Sequence, residues 1–172
     1  AIDFKQRLNL AHSLIKNEFR NNTSKNPSSF SELINQIFKK LNIDTQLAYS
    51  WQSLSQLAEI ADIYGEKNRA YHQINLFFDK HLNELESNNI NLNNVEYKAK
   101  LLYSLSNIEF RKKNFKKSIS YLDQLVDHIS QFPEELNNRY GSKYNLLVSL
   151  NKNYMGKLND AISILEDNPI DK

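Results

Sequence analysis

The residue types that most often perform catalysis or bind metal ions are sparse in this chain of 172 residues. Cysteine is absent, so disulfide bonds, thiolate metal ligands and cysteine nucleophiles are excluded. The histidines His12, His72, His81 and His128 form no H-x-x-x-H or H-E-x-x-H pair of the kind that holds zinc. The chain also lacks a G-x-S-x-G nucleophile elbow, a phosphate-binding glycine-rich loop and a dinucleotide fingerprint. We therefore predict no catalytic residue, no metal site and no cofactor, and we expect the histidines at the surface or between helices.

The strongest local charge feature is the basic run RKKNFKK at residues 111–117. Its cations are able to contact phosphate groups. However, the run joins two segments with helical periodicity, and a solvated basic turn or a rim contact is the ordinary outcome at such a place. The net charge of the chain is only +2, and no recognition-helix unit precedes the run. Direct binding of nucleic acid by this chain is therefore not predicted.

Two amphipathic segments at residues 99–126 hold this basic run between them. Apolar side chains recur at helical spacing in both, as Leu105 does before the run and Leu122 after it. The small residues Ser106 and Ser118 fall where two antiparallel helices would approach closely. This order of a leucine, a small residue, a turn, an aromatic residue, a small residue and larger apolar residues resembles the tetratricopeptide repeat.

Two further segments resemble the same repeat. Gly65 and Ala70 stand at the turn and close-packing positions of one segment, and Gly156 and Ala161 repeat their spacing in the other. The same alignment places Lys113 at the turn position of the central segment. The intervals between the equivalent small residues exceed the roughly 34 residues of a standard tetratricopeptide repeat. Long repeats of this sort are similar to those of bacterial regulators that sense peptide pheromones.

The predicted fold is all-α, and the resemblance implies a right-handed α-solenoid of about four antiparallel helix pairs. With 3 Gly and 3 Pro, the chain has little of the turn chemistry of a sandwich or barrel. The pair at residues 1–43 has a long loop and lacks small packing residues, so we predict an atypical or capping repeat there. The tetratricopeptide-like domain, residues 44–172, is predicted to contain repeats at residues 44–87, 94–132 and 134–168. Its first helix is expected to run unbroken from Asp44 or Thr45 to Tyr64.

In tetratricopeptide arrays, the first helices of successive pairs line a concave groove whose polar residues hold an extended peptide. The family's groove positions fall here on Gln52, Ser55, Glu59 and Asp62, on Lys100, Tyr103, Asn107, Phe110 and Arg111, and on Lys143, Leu147, Asn151 and Tyr154. The amides of Asn107 and Asn151 offer both a donor and an acceptor to a peptide backbone. Lys100, Arg111 and Lys143 suit a carboxylate of the peptide. The alternative is that these residues are ordinary solvated positions, since Asn and Lys are abundant throughout the chain.

The resemblance implies non-catalytic recognition of a peptide or protein partner by a domain of a larger protein. We expect a cytoplasmic location and no membrane insertion, because neither a signal peptide nor an apolar run of membrane length is visible. One alternative is the peptide-sensing or oligomerisation domain of a bacterial transcription regulator. A second is a structural module that forms a homodimer, which exposure of Tyr49, Trp51, Phe77 and Phe78 would favour. A third is an accessory domain of an enzyme whose active site lies outside this chain.

Overall fold

The computed structural model describes residues 3–21, 30–64, 74–87 and 90–167, and every regular element within these ranges is a helix. The α-helices are α1 (Phe4–Asn21), α2 (Phe30–Lys40), α3 (Thr45–Ala48), α4 (Trp51–Tyr64), α5 (Ile74–Glu86), α6 (Val95–Arg111), α7 (Phe115–Gln131), α8 (Pro133–Tyr154) and α9 (Leu158–Asp167). A short 3-10 helix, Leu92–Asn94, precedes α6. The predicted all-α class is confirmed. None of the helices in these ranges combines the length and the hydropathy that crossing a membrane requires.

The chain divides into two compact units, Ala1–Ile90 and Asn91–Lys172. In the first unit, α1 packs against α2 and α4, and both α2 and α4 contact α5. His12 of α1 meets Ser53 of α4, and further along both helices Lys16 meets Tyr64, so α1 and α4 run in the same direction. The helices are held together mainly by their fully buried apolar side chains, each worth about 1.5–3 kcal/mol when it is leucine-sized. The fully buried ones include Ala11, Ile15, Ile34, Phe38, Leu54, Leu57, Ala58, Ala61, Ile74 and Phe78.

The helix predicted to run unbroken from residue 44 or 45 to residue 64 is in fact two helices, α3 and α4, and that prediction was wrong. Of the two residues at which this helix was predicted to begin, Asp44 is the N-cap of α3, because its carboxylate accepts a hydrogen bond from the Gln46 N–H at 2.9 Å. The chain then leaves the helical conformation at Tyr49, whose ring packs 4.0 Å from the ring of His81 on α5. Ser50 starts α4, since its hydroxyl accepts a hydrogen bond from the Ser53 N–H at 3.1 Å. Because the apolar periodicity continues across this break, the sequence pattern does not reveal that Ser50 caps a second helix.

In the second unit, α6 and α7 form an antiparallel pair, α8 packs against both of them, and α9 packs on α8. The predicted close approach at Ser106 and Ser118 is confirmed. Both residues are fully buried, and the Ser118 hydroxyl donates a hydrogen bond of 2.8 Å to the Ser106 carbonyl. At the other end of the pair, His128 Nε2 donates to the Val95 carbonyl at 2.8 Å. Ring contacts between α6 and α8, described below, show that these two helices are parallel.

The turns that follow α6 and α8 have the same backbone conformation, as the sequence alignment of Lys113 with Gly156 predicts. Lys113 has φ 62° and Gly156 has φ 78°, both in the left-handed region. After α6, the N–H of Lys113 donates to the Phe110 carbonyl and that of Asn114 to the Glu109 carbonyl. Gly156 and its successor repeat both bonds after α8, so each helix ends in a Schellman motif.

Some predicted features lie outside the described residues. Gly65, Ala70 and His72 fall there, and so does the side chain of Ala161, although its backbone belongs to α9. The predictions made for them remain predictions.

Candidate functional site

Two adjoining clefts lie between α1 and α4 in the first unit. One has a volume of about 420 Å³ and is lined by Asn9, His12, Ser13, Lys16, Gln56, Glu59, Ile60, Ile63 and Tyr64. The other has a volume of about 340 Å³ and is lined by Phe4, Lys5, Leu8, Asn9, Leu47, Ser50, Gln52, Ser53 and Gln56. Asn9 and Gln56 line both. Both volumes lie within the range of about 300–1,000 Å³ that is typical of ligand pockets.

The clefts receive two of the groove residues predicted on α4 but not all of them. Gln52 lines the smaller cleft and Glu59 the larger one. Ser55 was predicted to face the groove, and that placement was wrong. It is fully buried, and its hydroxyl donates a hydrogen bond of 2.8 Å to the Gln52 carbonyl. Asp62 is half-buried and is not part of either lining.

A polar contact between His12 of α1 and Ser53 of α4 lies where the two clefts adjoin. His12 Nε2 and Ser53 Oγ lie 3.0 Å apart, and both residues are buried. Burial lowers the pKa of His12 below its ordinary value of 6.5, and a hydrogen bond with Gln56 partly opposes this effect. A histidine and a serine at this distance have the chemistry of a base and a nucleophile. Ser53, however, is only 1% exposed, so the contact serves to fix α1 against α4.

The larger cleft is lined by both polar and apolar side chains. Asn9 and Ser13 of α1 carry hydrogen-bonding groups, as does Glu59 of α4, whereas Ile60 and Ile63 of α4 are aliphatic. At one end, the ammonium of Lys16 lies 5.3 Å from the centre of the Tyr64 ring, within cation–π range. The cleft thus combines aliphatic surface with several polar side chains.

In the second unit, the structure brings several predicted groove residues of α6 and α8 together. The rings of Tyr103 and Tyr140 are 6.3 Å apart, and the Lys143 ammonium lies 5.4 Å from the centre of each. Lys143 is therefore engaged by two aromatic rings as well as being exposed to solvent. Lys100 and Asn107 of α6 are half-buried.

A second aromatic contact joins α6 and α8 at their C-terminal ends. The Phe110 ring meets the Tyr154 ring edge-on at 5.3 Å, and the Phe115 ring lies parallel to that of Tyr154 at 5.7 Å. Tyr154 nevertheless remains 64% exposed. Arg111, the adjacent predicted groove residue, is exposed, although partial desolvation lowers the pKa of its guanidinium.

Two residues predicted to line the groove on α8 are instead in the core, so their predicted placement was wrong. Leu147 is buried. Asn151 is fully buried, and its Nδ2 donates to the Ser118 hydroxyl at 3.1 Å and to the Leu147 carbonyl at 2.9 Å. The amide donor that was expected to reach a peptide is thus used between helices. A buried polar side chain needs such partners, because leaving it unpaired costs about 1–3 kcal/mol.

The basic run at residues 111–117 contains cations in different environments. The Lys112 ammonium lies 3.1 Å from Oε1 of Glu109, whose side chain is buried, so Lys112 is part of an internal ion pair. Lys117 lies over the Tyr121 ring at 4.9 Å. Lys113 and Lys116 are exposed. The run is therefore only in part the solvated turn that the sequence predicts.

The clefts include residues of α1 that the sequence analysis did not select: Asn9, His12, Ser13 and Lys16. The resemblance assigns no groove position to α1, because the first pair matches the repeat poorly. The polar face of α1 is the sequence signal that could have found Asn9, Ser13 and Lys16. Gln56 was also missed, although it lies one turn from Gln52 on α4.

Three of the four histidines, His12, His81 and His128, are within the described ranges. Each is buried between helices, which is one of the two environments that the sequence predicts. No group of three or more histidine, aspartate and glutamate side chains in those ranges is placed to hold a metal ion. Comparison of the chain with protein-family models, curated proteins and solved structures finds no match. Function therefore has to be argued from the surfaces described above.

Proposed function

We propose that this chain is a non-catalytic helical-repeat domain that binds an extended peptide segment of a partner protein between α1 and α4. The observation that supports this proposal is the pair of adjoining clefts that share Asn9 and Gln56. A side-chain amide donates and accepts hydrogen bonds, so it matches the N–H and C=O groups of a peptide. Two amides where the clefts meet would hold the middle of such a segment.

The length of the clefts favours an extended segment over a compact ligand. Lys5 lines one cleft and Lys16 the other, and a helix that rises about 1.5 Å per residue separates them by about 16 Å. An extended peptide rises about 3.3 Å per residue, so about five residues would span this distance. Aliphatic side chains of the segment would pack on Ile60 and Ile63. A carboxylate of the peptide would be attracted to either lysine, and a basic side chain to Glu59.

The packing inside each unit agrees with a tetratricopeptide-like array, in which parallel first helices lie side by side. This is the relationship of α1 to α4 in one unit and of α6 to α8 in the other. We extend this arrangement to a right-handed superhelix of four helix pairs in a larger, cytoplasmic protein. The peptide-sensing domain of a bacterial transcription regulator is one kind of domain that would have this arrangement.

The binding experiment has a built-in reporter, because Trp51 is the only tryptophan in the chain. It is 6% exposed and stands between Ser50 and Gln52, which both line the smaller cleft. Peptides would be selected with the intact chain from a random library displayed on phage. A synthesised peptide that binds between α1 and α4 should change the Trp51 emission in a saturable manner.

Matched variants decide whether that peptide occupies the clefts. Asn9→Ala should weaken binding about tenfold, the effect of losing a hydrogen bond worth roughly 1.4 kcal/mol. Asn35→Ala removes an exposed amide from α2 and should leave the affinity unchanged. If no selected peptide is sensitive to Asn9→Ala or to Glu59→Gln, the clefts are not the binding site.

Self-association is a second candidate function, favoured by exposed aliphatic side chains on α8 and α9. Leu146 and Leu150 stand one turn apart on α8, and Ile162 and Leu165 do so on α9; all four are exposed. The aromatic residues whose exposure would have favoured a dimer do not contribute, since Trp51, Phe77 and Phe78 are buried and Tyr49 is half-buried. Sedimentation velocity of the wild type and of Leu150→Glu tests this candidate: a dimer that the substitution dissociates supports it, and a monomeric wild type excludes it.

A further inference from the structure

The two turns of the second unit meet at one end of that unit, where three aromatic rings pack together and that of Tyr154 is exposed. Phe110 ends α6, Phe115 begins α7 and Tyr154 ends α8, and their three rings are in mutual contact at 5.3–5.8 Å. Cations lie close to these rings in the sequence: Arg111, Lys113 and Lys116 in and beside the first turn, and Lys157 in the second. We call the three rings together with these four cations the turn-end surface.

The turn-end surface has a strong excess of positive charge. Arg111, Lys113, Lys116 and Lys157 are all exposed, whereas the carboxylate of Glu109 is buried and already paired with Lys112. Within residues 109–117 and 151–160, the remaining acidic residue is Asp160 in the first turn of α9. An apolar centre with a cationic rim is complementary to a ligand with an apolar side chain between carboxylates.

We propose that the turn-end surface binds an acidic segment of a partner protein, with one aromatic or aliphatic side chain of that segment packed on Tyr154. The exposed face of the Tyr154 ring would supply the apolar anchor site, since large aromatic residues dominate the energetics of interfaces. Arg111, Lys113, Lys116 and Lys157 would form charge-assisted hydrogen bonds with carboxylates on either side of the anchor. This site uses no residue of the clefts between α1 and α4, and the proposal does not rest on the function proposed for them.

The ring geometry favours an acidic peptide over single-stranded nucleic acid. Proteins that bind single strands present successive aromatic platforms on which neighbouring bases stack. Here Phe115 lies parallel to Tyr154, at an interplanar angle of 22°, and Phe110 is edge-on to it. Phe115 and Tyr154 therefore stack on each other rather than along a groove, and the three rings offer one anchor position instead of a series.

The test is a subtractive selection with the intact chain. A phage library of random peptides is selected on the wild type after depletion on Tyr154→Ala, so that the retained peptides require this ring. We expect them to be rich in Asp and Glu around a Phe, Trp or Leu. Affinities of one synthesised peptide and of fluorescent oligothymidylate are then measured by anisotropy, at low and at high salt.

Two variants and two controls test whether the selected peptide binds at the turn-end surface. Lys116→Glu and Tyr154→Ala should each reduce the peptide affinity about tenfold or more, and high salt should weaken wild-type binding. Lys39→Glu, an equal change of charge at an exposed position of α2, and Asn9→Ala, in the clefts, should have no effect. Circular dichroism checks that each variant is folded, which the exposure of both altered side chains leads us to expect.

Three outcomes would overturn the proposal. The first is a selection that retains no peptide or retains neutral or basic ones. The second is binding that Asn9→Ala weakens and Tyr154→Ala does not, which would place the acidic peptide in the clefts. The third is tighter binding of oligothymidylate than of any acidic peptide, with the same dependence on Tyr154, which would make the surface a nucleic-acid site.

Discussion

The amide of Asn151 on α8 donates a buried hydrogen bond of 3.1 Å to the hydroxyl of Ser118 on α7. The Ser118 hydroxyl in turn donates a hydrogen bond of 2.8 Å to the Ser106 carbonyl of α6. Three helices of the second unit are thus linked through one serine hydroxyl. Oδ1 of Asn151 is also buried and has no hydrogen-bond partner within the part of the chain that the structure describes.

Loss of the Asn151 amide should therefore destabilise the fold. We expect Asn151→Ala to lower the free energy of unfolding by about 1–3 kcal/mol, because it leaves a small cavity and removes a donor from the buried Ser118 hydroxyl. Asn153→Ala, an exposed change two residues away on the same helix, should cost less than about 0.5 kcal/mol. Urea denaturation measures both. Equal stabilities of the two variants would contradict the role assigned to Asn151.

The same link predicts energetic coupling between two helices. If Ser118 and Asn151 stabilise each other, the double variant Ser118→Ala/Asn151→Ala should be less destabilised than the sum of the single variants, by about 0.5–3 kcal/mol. A parallel cycle with Ser120→Ala, an exposed serine of α7, supplies the baseline. Strict additivity in both cycles would show that the bond contributes nothing to stability.

The sequence could reveal the pairing of α6 with α7 because two small residues and a turn mark it together. Ser106 and Ser118 were placed correctly by that pattern, and so was the equivalence of Lys113 and Gly156. Helical periodicity, however, gives a direction around the helix axis and not a depth. The groove positions of the tetratricopeptide repeat place Asn151 at the surface, whereas its amide is buried and hydrogen-bonded to the Ser118 hydroxyl of α7.

The candidate clefts could be predicted only in part, for a related reason. A cleft is a property of two helices, and its lining depends on how far apart they stand and on which turns face each other. The α4 residues Gln52 and Glu59 followed from the resemblance, but their partners on α1 did not, since α1 belongs to a pair that the repeat pattern does not describe. The predicted position of Ser55 was wrong because its hydroxyl hydrogen-bonds to a carbonyl of its own helix, which allows the side chain to be buried.

Because the turns after α6 and α8 have the same conformation, substitutions at Lys113 and Gly156 should shift the midpoint of thermal unfolding in opposite directions. Lys113 adopts the left-handed conformation at a cost of about 1 kcal/mol, which glycine would avoid, so Lys113→Gly should raise the midpoint of thermal unfolding. Gly156→Ala should lower it. A Cβ at Gly156 would meet no atom within 4 Å, so the loss would report backbone strain alone. Differential scanning calorimetry measures both, and shifts of the same sign would refute the shared motif.

Within the basic run, Lys112 should be the cation on which stability depends. Lys112→Ala removes the partner of a carboxylate that is 2% exposed, and an unpaired buried charge costs about 3–5 kcal/mol. Lys116→Ala, at an exposed position, should be nearly neutral. Adding Glu109→Gln to Lys112→Ala should recover part of the loss, because it removes the uncompensated charge. Chemical denaturation tests this series, and a neutral Lys112→Ala would show that stability does not depend on this ion pair.

Acidification should weaken the first unit through His12. Burial keeps the folded-state pKa of His12 below 6.5, the value expected in the unfolded chain. As the pH falls below about 6.5, the unfolded chain binds the proton before the folded chain does, so the free energy of unfolding decreases. The decrease from one such group is at most about 1.4 kcal/mol per pH unit. About one pH unit above 6.5, His12 is almost entirely neutral in both states, and its contribution to the pH dependence disappears.

His12→Gln separates this effect from that of the other histidines. Burial also lowers the pKa of His81, with Glu84 opposing the shift, so some pH dependence should remain in the variant. Glutamine still offers an amide to Ser53 but has no proton to gain. Urea denaturation of both proteins at several pH values between about 7.5 and 5.5 should show a smaller decrease for His12→Gln than for the wild type. Parallel curves would mean that His12 is protonated in the folded state as readily as in the unfolded chain, and that α1 does not shield it as the contact with Ser53 implies.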